Sequence, residues 1–510
     1  MQTARLSVPD FTWQDYHSWI LILSHKNKTA LLQKPVQVAV IGKYLGQLLT
    51  MLAILMLLPL LVSLVLSEFE FTVRFVIVEF LLLSAGLPLM RTNVPAGLQT
   101  NEGLVISALV FILSPLVMTI PVMGTGLGFI DALFEAVSAF TTTGLSVMTD
   151  LQQQPRTFLF LRTYMQWIGG LGIVVLTIVL LLQPGIYLRK LVELDESEDI
   201  VSSTVLYARR ILLIYMMLTI ISTAMIWITG ASFFNALTHA FSAVSTGGFS
   251  NFDDSLAGFD SPLVAVSVIS GCLFGALPFM LYFRIRHYHF SMIFQDVQVR
   301  AIVFFILSIG LLLTVVWVQE AQMPIPDALC HAMLMTISAQ TTAGFASLDL
   351  TQTGYHGLLI LMIAMFVGGS LGSTAGGVKL YRVLIFWRVL LHLLQKTAVT
   401  PHAVVEPHLA DKTLEMDEVN KALLVIMLYF LATFLSWCAF LFSGYEPVAS
   451  LFEVVSAAGT VGLSSGVISA DLPVHLKLIL CLDMLLGRLE FIALLVLVYP
   501  ATWINKRFNV

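Results

Sequence analysis

The chain has 510 residues, 58% of them hydrophobic and only 11% charged, with a mean hydropathy of +0.91. Soluble domains carry about 25% charged residues, so the composition excludes that class and leaves a polytopic membrane protein surrounded by lipid. The net charge of −5 is too small to name a polyanionic partner, which sets nucleic acid aside.

Residues 1–37 are mixed and polar, with Lys26, Lys28 and Lys34, lack a cleavable-leader pattern and read as a cytoplasmic segment of no assigned role. A spanning helix needs about 20 apolar residues. Ten stretches qualify, near 38–66, 72–90, 102–121, 157–183, 205–229, 262–284, 299–319, 357–391, 418–442 and 474–504. The first two make an N-terminal helix pair over 38–100. The other eight alternate with four apolar segments too short to cross. The chain after the pair therefore divides into repeats over 101–190, 191–290, 291–395 and 396–510.

The four short segments read ALFEAVSAFTTTGLS from Ala132, ALTHAFSAVSTGGFS from Ala236, AMLMTISAQTTAGFA from Ala332 and SLFEVVSAAGTVGLS from Ser450. Ser138, Ser242, Ser338 and Ser456 align, and six residues later so do Gly144, Gly248, Gly344 and Gly462. Lys and Arg set the orientation. Arg209, Arg210, Arg300, Arg382, Arg388, Lys396, Lys412 and Lys421, with Arg189, Lys190, Arg284, Arg286, Lys506 and Arg507, fall on one side. The other side has chiefly Arg74, Arg156, Arg162 and Lys477, together with acids such as Asp150, Asp253, Asp349 and Asp471. Both termini are then cytoplasmic, and the short segments enter from outside.

A helix of about 12 residues is roughly 18 Å long, against a hydrocarbon core of about 30 Å. Each short helix must stop near mid-membrane and leave irregular backbone there, which is tolerated only in a protein interior or a wet cavity. The loops Thr142-Thr143-Gly144, Thr246-Gly247-Gly248, Thr342-Ala343-Gly344 and Thr460-Val461-Gly462 offer hydroxyls, small side chains and carbonyls that can replace a cation's water. They hold no acidic ring, so neutral oxygens would coordinate a monovalent ion, whereas divalent ions recruit carboxylates. The negative ends of four half-helices favour a cation too. Potassium filters are built from four TVGYG loops, and Thr460-Val461-Gly462 matches the first three of those residues. Simple packing by small residues is the competing account, and four copies in register weigh against it.

On these motifs, from about residue 38 to the C-terminus, the chain resembles the TrkH/TrkG/KtrB superfamily of potassium uptake proteins. Ten spans make it similar to the TrkH/TrkG branch. The resemblance implies an all-α polytopic membrane protein with four tandem membrane-pore-membrane repeats around one pseudo-fourfold pore, plus the N-terminal pair. It also implies a homodimer in the cell inner membrane, K⁺ as the transported ion, no bound cofactor, no enzymatic step and a cytosolic TrkA-like nucleotide-binding regulatory subunit.

The second span of the third repeat contains Gly368, Gly369, Gly372, Gly376 and Gly377, followed by Lys379. Each interior glycine costs about 1 kcal/mol against alanine, so this span is expected to break into two helices. The stretch lacks the spacing of a phosphate-binding loop. In the superfamily the corresponding segment is a gating loop beneath the filter. Arg488 lies in the last span, and Gly487 follows Gly462 by 25 residues much as Gly368 follows Gly344 by 24. A buried Arg in a membrane faces a wet or paired interior. It either pairs with Glu490 or Asp483, or stands as the positive charge in the ion path that the resemblance implies.

The remaining candidates are blander. Gln166-Trp167-Ile168-Gly169-Gly170-Leu171-Gly172 reads as close helix packing, and His239 and His331 as packing or hydrogen-bonding residues. Cys272, Cys330, Cys438 and Cys481 read as core thiols. His392, His402 and His408 lack metal-ligand spacing, and the polar segment that holds them, with the acidic run 193–199, is either solvated loop or partner contact. The rival function is a secondary transporter with H⁺ or Na⁺ symport through broken helices. It needs a carboxylate relay, for which Glu135, Glu453 and Asp483 are the candidates, without forming a repeated set. A membrane-embedded enzyme would need a nucleophile–base cluster that the sequence does not suggest.

Overall fold

The structure, a computed structural model, describes residues 35–94, 98–181, 200–259, 261–287, 295–398, 406–410 and 412–503. The N-terminal segment to residue 34, the acidic run 193–199, His402 and the basic residues Arg189, Lys190, Lys506 and Arg507 lie outside them.

Among the described residues six helices are long and apolar enough to cross a membrane. They are Val38–Val65, Phe69–Met90, Thr100–Thr125, Ala208–Ile228, Val297–Glu320 and Met416–Phe442. The protein is a multi-pass, helical membrane protein; among the described residues its strands are His408–Leu409 and Lys412–Thr413, paired antiparallel. Lipid-facing side chains such as Val65, Phe80, Ile228 and Phe442 stay exposed, as a hydrocarbon surround allows.

The first two helices form a tightly crossed pair. A Cβ on Gly46 would fall 2.6 Å from Met90 N, and one on Gly86 would fall 2.6 Å from Thr50 Oγ1. Close approach through small residues is how helices associate in lipid, where hydrophobic burial gives no advantage. An aromatic cluster of Phe160, Tyr164, Trp167, Tyr215, Phe241 and Phe279 then joins the span after the first loop to the second short helix.

The short helices are Phe129–Phe140, Phe233–Val244, Ile325–Gln340 and Pro447–Ala458. Three have 12 residues and the third has 16. Ser232 caps the second through Asn235 N at 3.3 Å, and Glu446 caps the fourth through Ala449 N at 2.6 Å.

The spans that follow these helices are less regular than the hydropathy suggests. The glycine-rich span breaks as expected, into Tyr355–Val367 and Leu380–Thr397 with residues 368–379 between them. Two other spans, read from sequence as continuous, are also broken. The stretch 262–284 divides into Pro262–Ala276 and Phe279–His287, because Pro278 forces Leu277 to extended backbone (φ −81°, ψ 152°) and supplies no N–H. The last span divides after Arg488, where Glu490 and Phe491 both take positive φ (53° and 65°) before Ile492–Val498 begins.

Candidate functional site

The four short helices end in one shared backbone turn. Their next residues, Thr141, Ser245, Thr341 and Gly459, all sit at φ −79° with ψ between −6° and −1°. Thr142, Thr246, Thr342 and Thr460 then turn left-handed, with φ of 54°, 52°, 54° and 49°. The residues after them, Thr143, Gly247, Ala343 and Val461, donate their N–H back to the carbonyls of Ser138, Ser242, Ser338 and Ser456 at 2.8–2.9 Å. The preceding threonine N–H reaches Ala139, Ala243, Ala339 and Ala457 at 3.0–3.1 Å. This is the Schellman ending, in which glycine normally fills the left-handed position. A β-branched residue there is a true outlier, at a cost of order 1–3 kcal/mol each. Four strained threonines at one register argue that the hydroxyl is needed there.

The loops close into a ring, and the glycines make the closure possible. A Cβ on Gly144 would lie 2.2 Å from the carbonyl oxygen of Gly247, and one on Gly248 would lie 2.1 Å from that of Ala343. A Cβ on Gly344 would meet Val461 O at 2.0 Å, and one on Gly462 would meet Thr143 O at 2.1 Å. Each glycine abuts the middle carbonyl of the next loop, from first to second, third, fourth and back to the first. All twelve residues predicted as ligands are thereby brought together, and the threonines are fully buried. The middle carbonyls form the seams of the ring. That of Gly247 further accepts Gln166 Nε2 at 2.6 Å.

The threonine hydroxyls divide into two kinds. Thr342 Oγ1 accepts Gly376 N at 2.6 Å, and Thr246 Oγ1 donates to Ser245 O at 2.7 Å and lies 3.4 Å from Thr374 Oγ1. Thr142 Oγ1 and Thr460 Oγ1 are buried without a protein hydrogen-bond partner. Such oxygens are costly to leave unmet and are suited to a desolvated cation.

The glycine-rich loop 368–379 packs against the ends of the short helices and the ring. Gly377 N donates to Gly459 O at 2.9 Å, and a Cβ on Gly376 would fall 2.1 Å from Thr460 Oγ1. Thr374 Oγ1 donates to Val244 O and Gly275 O at 3.0 and 2.9 Å. Gly368, Gly372 and Gly377 all take positive φ, and Lys379, also at positive φ (77°), donates Nζ to Ala375 O. Gln340 Nε2 holds the other end of the loop, donating to Gly368 O at 2.6 Å. Gly369 packs on Ala375 Cβ, so it belongs to the fold of the loop itself.

Arg488 is buried, and its guanidinium donates to Thr374 O at 2.8 Å and Gly169 O at 3.2 Å. This corrects the simplest sequence expectation of an ion pair with Glu490 or Asp483. Glu490 pairs instead with Arg382, and Asp483 accepts Ser436 Oγ at 2.8 Å. The arginine ties the last span to the glycine loop and to the span of the first repeat. The glycines beside it are at one depth. A Cβ on Gly169, Gly275 or Gly487 would strike the last carbonyl of its own short helix, Phe140, Val244 or Ala458, at 2.0, 2.3 and 2.0 Å. A Cβ on Gly170 would lie 2.8 Å from both Ser245 Cβ and the Tyr215 hydroxyl, as close packing requires.

Two features escaped the sequence reading. Arg162, counted there only as an outer charge, is buried against Glu135 at 3.2 Å and Ser146 Oγ at 3.0 Å, and lies 3.9 Å from the Phe249 ring centroid. Glu135 and Glu453 do occupy one repeated position, three residues before the aligned serine. His239 shares it, bonded to Asn235 O at 2.8 Å and Ser250 Oγ at 3.0 Å, and His331 meets Ser347 Oγ at 3.1 Å from another position.

Known proteins resemble this chain in sequence and in fold. The family model described as TrkH, cation transport protein, matches residues 67–505. The Trk system potassium uptake protein TrkH of Halomonas elongata is 30% identical over 480 residues, covering 90% of this chain and 98% of its own. The Trk system potassium uptake protein TrkG of Escherichia coli is 28% identical over 484 residues, covering 91% and 99%. The crystal structure of the potassium transporter TrkH from Vibrio parahaemolyticus superposes with a TM-score of 0.83 at 27% identity, over 92% of this chain and 100% of that one. The chain belongs to the TrkH family of cation transport proteins.

Proposed function

We propose that this chain is the channel-like translocation subunit of a Trk-type potassium uptake system. The observation that carries the reading is the closed ring, in which each of Gly144, Gly248, Gly344 and Gly462 lies against a carbonyl of the next loop. Four short helices aim their negative ends at that ring, and it offers neutral oxygens, including two unmet threonine hydroxyls, to a monovalent cation. The relatives named as potassium uptake proteins support K⁺ as that cation.

Loop 368–379 and Arg488 are the gate in this reading. The loop fills the space against the ring, and Arg488 both anchors it and sets a positive charge by the ion path. Uptake needs no chemical step, since the membrane potential supplies about 2.3 kcal/mol per charge for each 100 mV. The four repeats are the pore units, with both termini on the cytoplasmic side of the inner membrane. A second copy of the chain and a cytosolic TrkA-like nucleotide-binding subunit complete the assembly. The symport alternative lacks support of this kind, since Glu135, Glu453 and Asp483 each bond to separate local partners, with Glu453 Oε2 and Asp483 Oδ2 left unbonded.

Flux into liposomes tests the proposal, with K⁺ and Na⁺ varied separately under an imposed negative potential. Wild-type protein is expected to take up K⁺ ahead of Na⁺, and Gly462→Ala is expected to lose that uptake because its new methyl meets Thr143 O. K⁺ flux indifferent to Gly462→Ala, or absent from wild-type protein with and without its regulatory partner, overturns the pore assignment.

A further inference from the structure

The position three residues before the aligned serine holds Glu135, His239, Met335 and Glu453. Their chemistry differs, and all four are buried. In every copy the tip of this side chain meets the chain as it leaves the ring glycine. Glu135 Oε1 accepts Ser146 Oγ at 2.6 Å and Val147 N at 2.8 Å. His239 Nε2 bonds Ser250 Oγ at 3.0 Å, and Met335 Sδ accepts Ser347 N at 3.2 Å. Glu453 Oε1 takes Ser464 Oγ and Ser465 N at 2.8 Å, Ser465 Oγ at 2.9 Å and Val467 N at 3.3 Å.

We propose that these four side chains are positioning residues that fix the outer limb of each loop, and that Glu453, which gathers the most donors, thereby holds the ring to K⁺ spacing. The inference rests on the potassium reading above. Ser464 is two residues from Gly462, whose Cα abuts the first loop at Thr143 O. A limb released from Glu453 frees Gly462 to move away from that seam. The ring then fits a range of cations. Glu135 works differently, because its second oxygen is held by Arg162. Glu453 Oε2 is buried with no partner, so the bonds to the limb run through Oε1 alone. A glutamine supplies the same acceptor without the charge.

The test is the K⁺/Na⁺ flux ratio in liposomes. Glu453→Leu is expected to lower the ratio by roughly tenfold, as loss of the hydrogen bonds that hold the limb permits, while K⁺ flux persists. Glu453→Gln is expected to keep the wild-type ratio. If Glu453→Leu does not assemble, the double variant Ser464→Ala, Ser465→Ala removes hydroxyl donors from the limb and is expected to lower the ratio in the same direction. An unchanged ratio in these variants overturns the inference alone, provided wild-type protein is selective. Glutamine falling as far as leucine overturns it too, by assigning the role to charge on the ion. A wild-type ratio near one removes the potassium reading and this inference with it.

Discussion

The ring and the layer packed against it are built from the same four repeats and obey opposite rules. In the ring every repeat contributes one turn, one strained threonine and one glycine seam; the turn and threonine dihedrals agree to within a few degrees, and the glycines all take positive φ between 74° and 96°. In the other layer three repeats share a glycine against the last carbonyl of the short helix, at Gly169, Gly275 and Gly487, and beyond that contact the repeats diverge. The first supplies Gly169, the second a break at Pro278, the third a twelve-residue loop over 368–379, and the fourth Arg488 and the turn at Glu490. Coordination of one spherical ion asks the same geometry of all contributors, which preserves symmetry. The proposed gate is under no such constraint, so its elements are free to differ from repeat to repeat.

The sharpest way to break this comparison is to add a methyl at each ring glycine separately. Gly144→Ala, Gly248→Ala and Gly344→Ala each introduce a Cβ within 2.0–2.2 Å of a carbonyl oxygen at positive φ, as Gly462→Ala does. Strain of about 1–3 kcal/mol corresponds to roughly 5- to 150-fold in the competent population. Loss of K⁺ uptake in liposomes is therefore expected at all four, and to similar degree. A fourfold geometry with unequal losses would mean that some seams are not part of the ion path.

Arg488→Gln probes the asymmetric side, and its sign is opposite. A unit charge about 10 Å from a passing cation, at an effective dielectric near 20, opposes it by roughly 1.7 kcal/mol. Its removal also deletes the donors to Thr374 O and Gly169 O. Uptake measured without the regulatory partner is expected to rise on the order of tenfold. Unchanged or lower flux removes Arg488 from the gate.

These two layers were not equally legible in the sequence. The ring was, because a left-handed turn and a close backbone contact constrain residue type, and the constraint repeats as Thr-x-Gly. The glycine-rich break was legible for the same reason. Arg488 was visible as a misfit, yet its partners are backbone carbonyls of Thr374 and Gly169, which carry no signature in residue type. The turn at Glu490 and Phe491 was hidden because neither residue favours positive φ, and the Arg382 ion pair that accompanies it spans 108 residues of sequence. Pro278 was in plain view but sat within an unbroken apolar run. The positioning side chains were missed for another reason. Glutamate, histidine and methionine fill one role, so alignment by residue type separates what geometry unites.

The smallest expected effect decides how the asymmetric layer works. Thr374→Val keeps the carbonyl that Arg488 binds and removes the hydroxyl that reaches Val244 O and Gly275 O. Gly275 O retains Thr374 N at 3.1 Å, so the loss is near one hydrogen bond, about 1 kcal/mol or roughly fivefold in the displaced loop. If the loop is the barrier, flux rises two- to fivefold by this estimate. The rise then shrinks when Arg488→Gln is already present, because both changes release one element and neighbouring sites do not add. If instead Arg488 acts through its charge alone, Thr374→Val leaves flux unchanged while Arg488→Gln still raises it. The double variant thus separates a moving plug from a fixed electrostatic barrier, two mechanisms that the single arginine change leaves merged.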